Sequence, residues 1–252
     1  MSEYPLKSEL GLIAFFGRTL EEYEEMFEFK VDDLKGKTIL DVASGPNSFI
    51  VDGSLIGLHI TGVDPMYQHN VKYLTKRAED DADKVRDYVV SNGLDKKWWT
   101  TVDSFSACFA RKATSRARFA EDYQISSDRY VYGLLPHLPF ESMTFDLVLT
   151  ANFLMLYAPK EVGGLGSAQK EEFDLNFHIA STVELDRVCK SEIRITAVVT
   201  EDGREHPYLR PVMEKLTSLG FRTELTHTSY HTESVMASYK SFLTATRLQS
   251  HI

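Results

Sequence analysis

Cysteine is scarce in this sequence of 252 residues: there are 2, Cys108 and Cys189, and no CxxC pair. That excludes a disulfide framework and a cysteine-rich zinc site, and it suits a reducing compartment. Cationic side chains are also in deficit, with 28 Lys and Arg against 37 Asp and Glu and a net charge of −9. The balance has the wrong sign for a protein whose task is to grip nucleic-acid backbones. Long apolar runs are missing too. The densest, Phe145 to Ala158, is broken by Asp146, Thr150 and Asn152, so no membrane helix is expected. The opening MSEYPLKSEL has no basic stretch followed by an apolar core, and no secretory signal is expected. None of the 8 histidines falls in an HExxH pair or in a cluster with cysteines, so no metal site is supported. There is no internal repeat and no low-complexity segment. What is present is an ordinary globular composition, 43% hydrophobic and 26% charged, in a chain long enough to bury a core unaided. A soluble, cytoplasmic protein is predicted, with no nucleic-acid or membrane partner, as a monomer or homodimer.

Periodicity sets the order of elements. RTLEEYEEMFE places Leu20, Tyr23 and Phe27 at helical spacing with glutamates on the other face. Residues 37–42 read as a short buried strand running into the small-residue turn Ala43-Ser44-Gly45-Pro46-Asn47, and a helix should follow from Ser48, capped by Ser48 or Asn47. A second strand spans 58–64 and stops at Pro65. Residues 66–127 are rich in charge and helix-compatible, and they exceed the length of one crossover, so they read as an inserted helical lobe. Strands resume near 129–132 and 145–151, then a glycine-rich loop follows at 162–167. A helix over 168–189 should turn Phe173, Phe177 and Ala180 to one face, with Leu175, Ile179 and Val183 beside it. A strand over 192–200 and a helix over 208–219 closed by Gly220 come next. Strands near 221–229 and 237–247 have no crossover between them and should pair antiparallel. The fold class predicted is α/β: a Rossmann-like, seven-stranded sheet with one antiparallel strand, forming one domain over 1–252 with the 66–127 helical insertion as a lid.

Ligands of an open α/β sheet lie at the carboxyl ends of the strands, at the topological switch point. Here the first two strands end in Asp41-Val42-Ala43-Ser44-Gly45 and Asp64-Pro65-Met66. A glycine lets backbone approach a ligand closely, and an acid ending the next strand can accept from a ribose diol. A nucleoside-containing ligand is indicated. The GxGxxG positions hold Ala43, Gly45 and Ser48, and Asp41 would repel a pyrophosphate, which argues against NAD, FAD or a nucleotide. The same acid suits a ligand carrying an amino group and a sulfonium.

LDVASGPNSF, then GVDP, then LPF followed by FDLVLTANFL resemble the class I S-adenosylmethionine-dependent methyltransferases, over about 36–65 and 129–200, with a similar final hairpin. GRTLEEYEEMF, LPHLPF, and FHIASTVELDRV with EIRI resemble a bacterial branch of that superfamily. The resemblance implies S-adenosyl-L-methionine as cofactor, with S-adenosyl-L-homocysteine as product, and methyl transfer to an O, N or C atom of a small-molecule acceptor. It places Asp41, Ala43, Ser44 and Gly45 around the methionine part, Asp64 on the ribose hydroxyls, and Pro65 and Met66 beside the adenine. Ala43 replaces a glycine, which requires its φ to stay negative. Leu134 and Leu135 stand where many relatives have an acid for the adenine amine, so backbone and packing would hold that ring. The alternatives are an S-adenosylmethionine-binding enzyme of another reaction class and a regulatory nucleoside-binding protein.

Further candidates follow from position. Arg18 could clamp the cofactor carboxylate, and Asn152 and Tyr157 follow the fourth strand, where relatives place substrate. His137 and Tyr157 are the candidate catalytic bases. Tyr23 is expected to pack in the core, and His178 to be a satisfied buried residue. His227 and His231 belong to the terminal hairpin. Arg111, Lys112, Arg116 and Arg118 are expected to form a solvated helix face paired with acids, and Trp98 and Trp99 to build the lobe core or an aromatic lid.

Overall fold

The computed structural model describes residues 13–93, 95, 105–166, 173–200, 204–228 and 241–248. Its centre is a run of strands too apolar to face water. β1 (Thr38–Val42) lies between β2 (His59–Asp64) and β4 (Phe145–Thr150), parallel to both, with Val42 opposite Val63 and Thr150. β3 (Tyr130–Tyr132) is the edge beyond β2, and β5 (Cys189–Thr196) lies beyond β4. The last two strands, β6 (Phe221–His227) and β7 (Ser241–Arg247), form the antiparallel pair expected of them. The sheet is seven-stranded, in the order β3-β2-β1-β4-β5-β7-β6, and β7 runs against both neighbours. Chain order reverses direction between β1 and β4, which makes their carboxyl ends the switch point.

Alternation along the strands divides the core in two. Ile39 and Leu147 point to one face, under α1 (Leu20–Phe27), α3 (Phe49–Leu55), α4 (Val71–Ser91) and α5 (Phe105–Ile125), where they meet Phe27, Phe49, Leu74 and Phe119. Leu40 and Val148 point to the other, under α6 (Leu175–Val188) and α7 (Leu209–Ser218), where they meet Leu185 and Val212. The remaining helix, α2 (Val31–Leu34), is a single turn before β1. No described helix is long and apolar enough to cross a membrane.

The insertion consists chiefly of α4 and α5, each of 21 residues. Leu74, Ala78 and Phe119 share the core of Ile39 and Phe49, so the inner half of this helix pair covers the sheet itself. The outer half has its own small cluster, Val85, Tyr88, Val89 and Phe109, which takes in Ala14, Phe16 and Phe105. Trp98 and Trp99 lie outside the described residues, as does His231.

Three expectations need correction. The long helix is described only from Leu175, capped by Asp174, and residues 168–172 lie outside the description. Its buried face carries His178, Ser181, Thr182, Leu185 and Val188, while Leu175 and Val183 are exposed. The apolar periodicity misled because α6 buries hydroxyls and an imidazole. β5 starts at Cys189 rather than 192. Finally, the basic stretch of α5 pairs with acids as expected but is solvated only in part, with Arg118 exposed and Lys112 buried. Lys112 is buried in an ion pair with buried Glu22, Arg116 donates to the Phe16 carbonyl at 3.3 Å, and Arg118 meets Asp52 at 2.6 Å. The cations fasten α5 to α1, α3 and the segment before α1.

Candidate functional site

The turn after β1 is held by a network centred on Asp41, which has no exposed surface. Tyr23 Oη donates to both carboxylate oxygens at 3.0 and 2.9 Å, Ser44 Oγ donates at 2.6 Å, and Asn47 Nδ2 donates at 2.9 Å. α1 delivers Tyr23 because the Thr19–Glu22 capping box starts the helix there. The tyrosine ring then stacks on Phe49, with centroids 4.1 Å apart. Tyr23 is thus a core residue, as expected, with a polar end that the helical spacing did not reveal. Burial first of all, working against three neutral donors, pushes the Asp41 carboxyl up to about 6.

Asp64 closes the other side. Its Oδ2 accepts from the Gly45 amide at 2.9 Å and its Oδ1 from the Met66 amide at 2.8 Å. Burial pushes it up to about 6 as well, against those two amides, and the nearby Asp41 adds to the rise. Tyr67 Oη donates to the Gly45 carbonyl at 2.6 Å, so the turn is gripped from both ends of its central residue. Gly62 on β2 allows this closeness, since a Cβ there would lie 2.4 Å from Ile50 and 3.0 Å from Ser44 Oγ.

Ala43 departs from expectation. Its φ is +56°, where a negative value was required. The turn must swing through the left-handed region so that the Ser44 amide can reach the Val63 carbonyl at 3.2 Å. An alanine in that region is strained by its Cβ. Gly45 has φ +66°, and a Cβ there would find only the Phe15 ring, at 3.9 Å. At this glycine, conformation is the first constraint and space the second.

A strap formed by residues 13–19 lies across this turn. The Ala14 amide donates to Tyr157 Oη at 3.0 Å and the Phe15 amide to Asp81 on α4 at 2.9 Å. Gly17 approaches Pro46 so closely that a Cβ would stand 2.7 Å from its carbonyl oxygen. The Arg18 carbonyl accepts from the Ser48 amide at 2.9 Å and from Ser115 Oγ at 2.8 Å. The charge of Arg18 is felt by Asp41, Tyr23, Glu22 and Lys112. Burial disfavours the Glu22 charge, but Lys112, Arg18 and Arg111 outweigh it and hold that carboxyl below its usual range. Ser48 caps α3 as expected, yet its hydroxyl donates to Asp52 at 2.6 Å rather than accepting from the first turn.

Asp41, Ser44, Gly45, Asp64 and Met66 are therefore one hydrogen-bonded unit, with Ala43 inside it and exposed Pro65 at its rim. Tyr157 and Arg18 reach it through the strap. Asn152, buried with φ +53°, lies just beyond β4 and is tied to β5, its amide donating to Thr196 Oγ1 at 2.8 Å. The chain after β3 separates its candidates. Leu134 is half exposed and Leu135 is buried in the α6-side core. His137 is exposed, and the next amide, of Leu138, donates to Glu184 in the second half of α6. No described contact joins His137 to Tyr157 or Asp64. His178 is buried, as expected, with Nδ1 2.7 Å from the Asp174 carbonyl and the Leu154 backbone as a second, looser partner of the ring. The sequence reading missed Tyr67, Asn47, Asp81 and Phe15. The signal available for Asn47 was its place in the turn; nothing local marks the other three.

No family model matches this chain. An uncharacterised protein of Methanocaldococcus jannaschii is 29% identical over 202 residues, which are 79% of this chain and 84% of that protein. That relative is archaeal, and it lends no support to a bacterial branch. Among solved structures, a SAM-dependent methyltransferase from Aquifex aeolicus aligns over 90% of both chains with a TM-score of 0.44 and 12% identity. Magnesium protoporphyrin IX methyltransferase from Synechocystis, solved with bound SAH, covers 90% of this chain and 93% of its own, with a TM-score of 0.45 and 11% identity.

Proposed function

We propose that the chain binds S-adenosyl-L-methionine at the carboxyl ends of β1, β2 and β4 and transfers its methyl group to a small-molecule acceptor. The observation that carries this reading is the Gly45–Asp64 contact. It sets an amide-bearing turn and an acid side by side at the ends of adjacent strands, next to the switch point. The residues present fit such a group. An ionised carboxylate has about four lone-pair directions, so Asp64 can accept ribose hydroxyls beside its two amides. The turn is rich in acceptors: Asn47 Oδ1 is buried without a donor among the described residues, and Asp41 and Asp64 are acids.

In this reading Asp64 holds the ribose, Pro65 and Met66 flank the adenine, and backbone at Leu134 and Leu135 borders that ring. Ala43, Ser44, Gly45 and Asn152 surround the methionine part, with Asp41 bracing the turn from beneath and Arg18 facing the carboxylate. The bound cofactor supplies a methyl group made electrophilic by its sulfonium. The protein's share is to hold the acceptor in line with that carbon and to exclude water. The strap and the outer half of the α4–α5 pair form the cover for this purpose, and Phe15, Phe16 and Phe109 give it an apolar lining. Tyr157 is the side chain best placed to hold a proton of the acceptor, and the surroundings of His137 do not favour that role. A cytoplasmic protein acting as a monomer or homodimer fits this chemistry.

Calorimetry with S-adenosylhomocysteine tests the reading. Asp64→Ala should weaken binding by about 1.5–3 kcal/mol, the worth of hydrogen bonds to a charged group, and unchanged affinity would overturn the ribose assignment. Formation of S-adenosylhomocysteine from S-adenosylmethionine with a library of acceptors separates a transferase from a nucleoside-binding protein that does not turn over.

A further inference from the structure

Asp41 and Asp64 lie at the carboxyl ends of neighbouring strands, and among the described residues every group within hydrogen-bond distance of either carboxylate is electrically neutral: a phenol, a hydroxyl and an amide for one, two backbone amides for the other. Neither acid stands in an ion pair among the described residues. The cations in range are engaged elsewhere. Arg77 on α4 acts on Asp64 from a distance while its Nε sits 2.7 Å from Asp81. Arg18 acts on Asp41 and also on Glu22. On α1, Glu22 is taken by Lys112, and on α3, Asp52 by Arg118. The phenols that face the pair, Tyr23 on α1 and Tyr67 after β2, are kept protonated by burial. Asn47 Oδ1, on a residue 1% exposed, adds a third acceptor without a donor among the described residues. Two neighbouring buried carboxyls with no cation in contact cannot both ionise cheaply. The corner therefore lacks one positive charge.

We propose that the ligand supplies that charge in exchange for a proton: the free site keeps a proton on the Asp41–Asp64 pair, and arrival of a cationic ligand drives it into solvent. The inference rests on the S-adenosylmethionine reading, whose ligand carries an ammonium and a sulfonium. Burial sets both acids near 6, with Asp41 adding to the rise at Asp64, so the exchange falls within an accessible pH range. The two groups titrate as a pair, and the proton belongs to both. A practical consequence is that acid conditions compete with the ligand for the same corner.

The test is the pH dependence of affinity for three ligands on the intact chain. S-adenosylmethionine and S-adenosylhomocysteine carry the ammonium, whereas 5′-methylthioadenosine keeps the nucleoside and a neutral sulfur and lacks the charged amino acid. For the two charged ligands, the dissociation constant should fall about tenfold from pH 5 to pH 7.5, approaching one proton released per ligand below pH 6. Calorimetry near pH 6 in buffers of different ionisation heat should register release, not uptake. The neutral ligand should change by about threefold or less, the part due to ribose hydroxyls on Asp64. Asp41→Asn, which keeps the shape, should flatten the response of S-adenosylmethionine, and if it does not fold, Asp64→Asn serves instead. If none of the three ligands binds at any pH, the S-adenosylmethionine reading itself fails. If all three bind with the same pH response, if protons are taken up, or if the Asn variant keeps the tenfold change, the proton exchange is refuted and the reading stands.

Discussion

Tyr23→Phe is the sharpest probe of the network beneath the turn, because it removes one oxygen and leaves the ring on Phe49, 4.1 Å between centroids. That oxygen is the one described donor to Asp41 from outside the 41–47 segment, at 3.0 and 2.9 Å. A hydrogen bond to an ionised group contributes about 1.5–3 kcal/mol and one to a neutral group about 0.5–1.5 kcal/mol. Asp41 sits at about 6 in the folded protein, against about 3.9 for a free aspartate. A carboxyl raised in this way contributes its full stability below the unfolded value and loses it as pH rises through the folded one. Removing the phenol raises the folded value further, so the variant should suffer more where the acid is charged. The expected loss is about 1 kcal/mol at pH 4.5 and about 2.5 kcal/mol at pH 8, the difference corresponding to roughly one pKa unit. Urea unfolding of both proteins at each pH reads it as a shift in midpoint at constant slope. Equal losses at the two pH values would refute the argument that Tyr23 steadies a charge, and a loss below about 0.5 kcal/mol at pH 8 would refute the network altogether.

Ala43→Gly should stabilise by up to about 1 kcal/mol, since relief of about 1–2 kcal/mol of left-handed strain outweighs the added freedom of the unfolded chain, about 0.4–1 kcal/mol; a lower melting temperature would contradict the φ of +56°. Lys112→Met should cost about 3 kcal/mol by stranding Glu22, and adding Glu22→Gln should recover much of it in denaturant unfolding; additive losses would mean the pair is not coupled. Burial pushes His206 down to about 4, with His178 adding to the effect. Its contribution to stability is complete above the ordinary histidine range and is lost as pH falls toward 4. His206→Asn, which can still accept from the Tyr208 amide, should flatten that part of the stability profile, and an unchanged acid limb would refute the assignment.

The sheet was legible because parallel strands are buried on both faces and announce themselves as apolar runs, and because two strands without a crossover must pair antiparallel. The turn residues were legible because small side chains between a strand and a helix are rare except where backbone must come close. What stayed hidden is the polar interior. Glutamates and lysines in an amphipathic pattern ordinarily face water, and nothing local distinguishes Glu22 and Lys112, which are 90 residues apart, from their solvated neighbours. Asp81 and Tyr67 were invisible for the same reason, since their partners in the strap and the turn are distant in sequence. The α6 face failed for the converse reason: its buried positions are Ser, Thr and His, so an apolar stripe pointed to the wrong side.

The strap has a bearing on how the molecule comes into being. Its Ala14 amide must find an oxygen 143 residues further along, and the neighbouring Glu25 carbonyl one 203 residues further. A ribosome delivers the strap before β1 exists and long before Tyr157. Residues 13–19 can meet Asp81, Ser48 and Ser115 earlier, but until the segment after β4 has emerged the Ala14 end has no partner, and partly docked nascent chains are vulnerable to capture or misassembly. Contacts of such separation also place this chain among slowly maturing topologies. Final fastening of the strap, at Ala14, is thus a late event of biogenesis, completed only when the sheet beneath is already built.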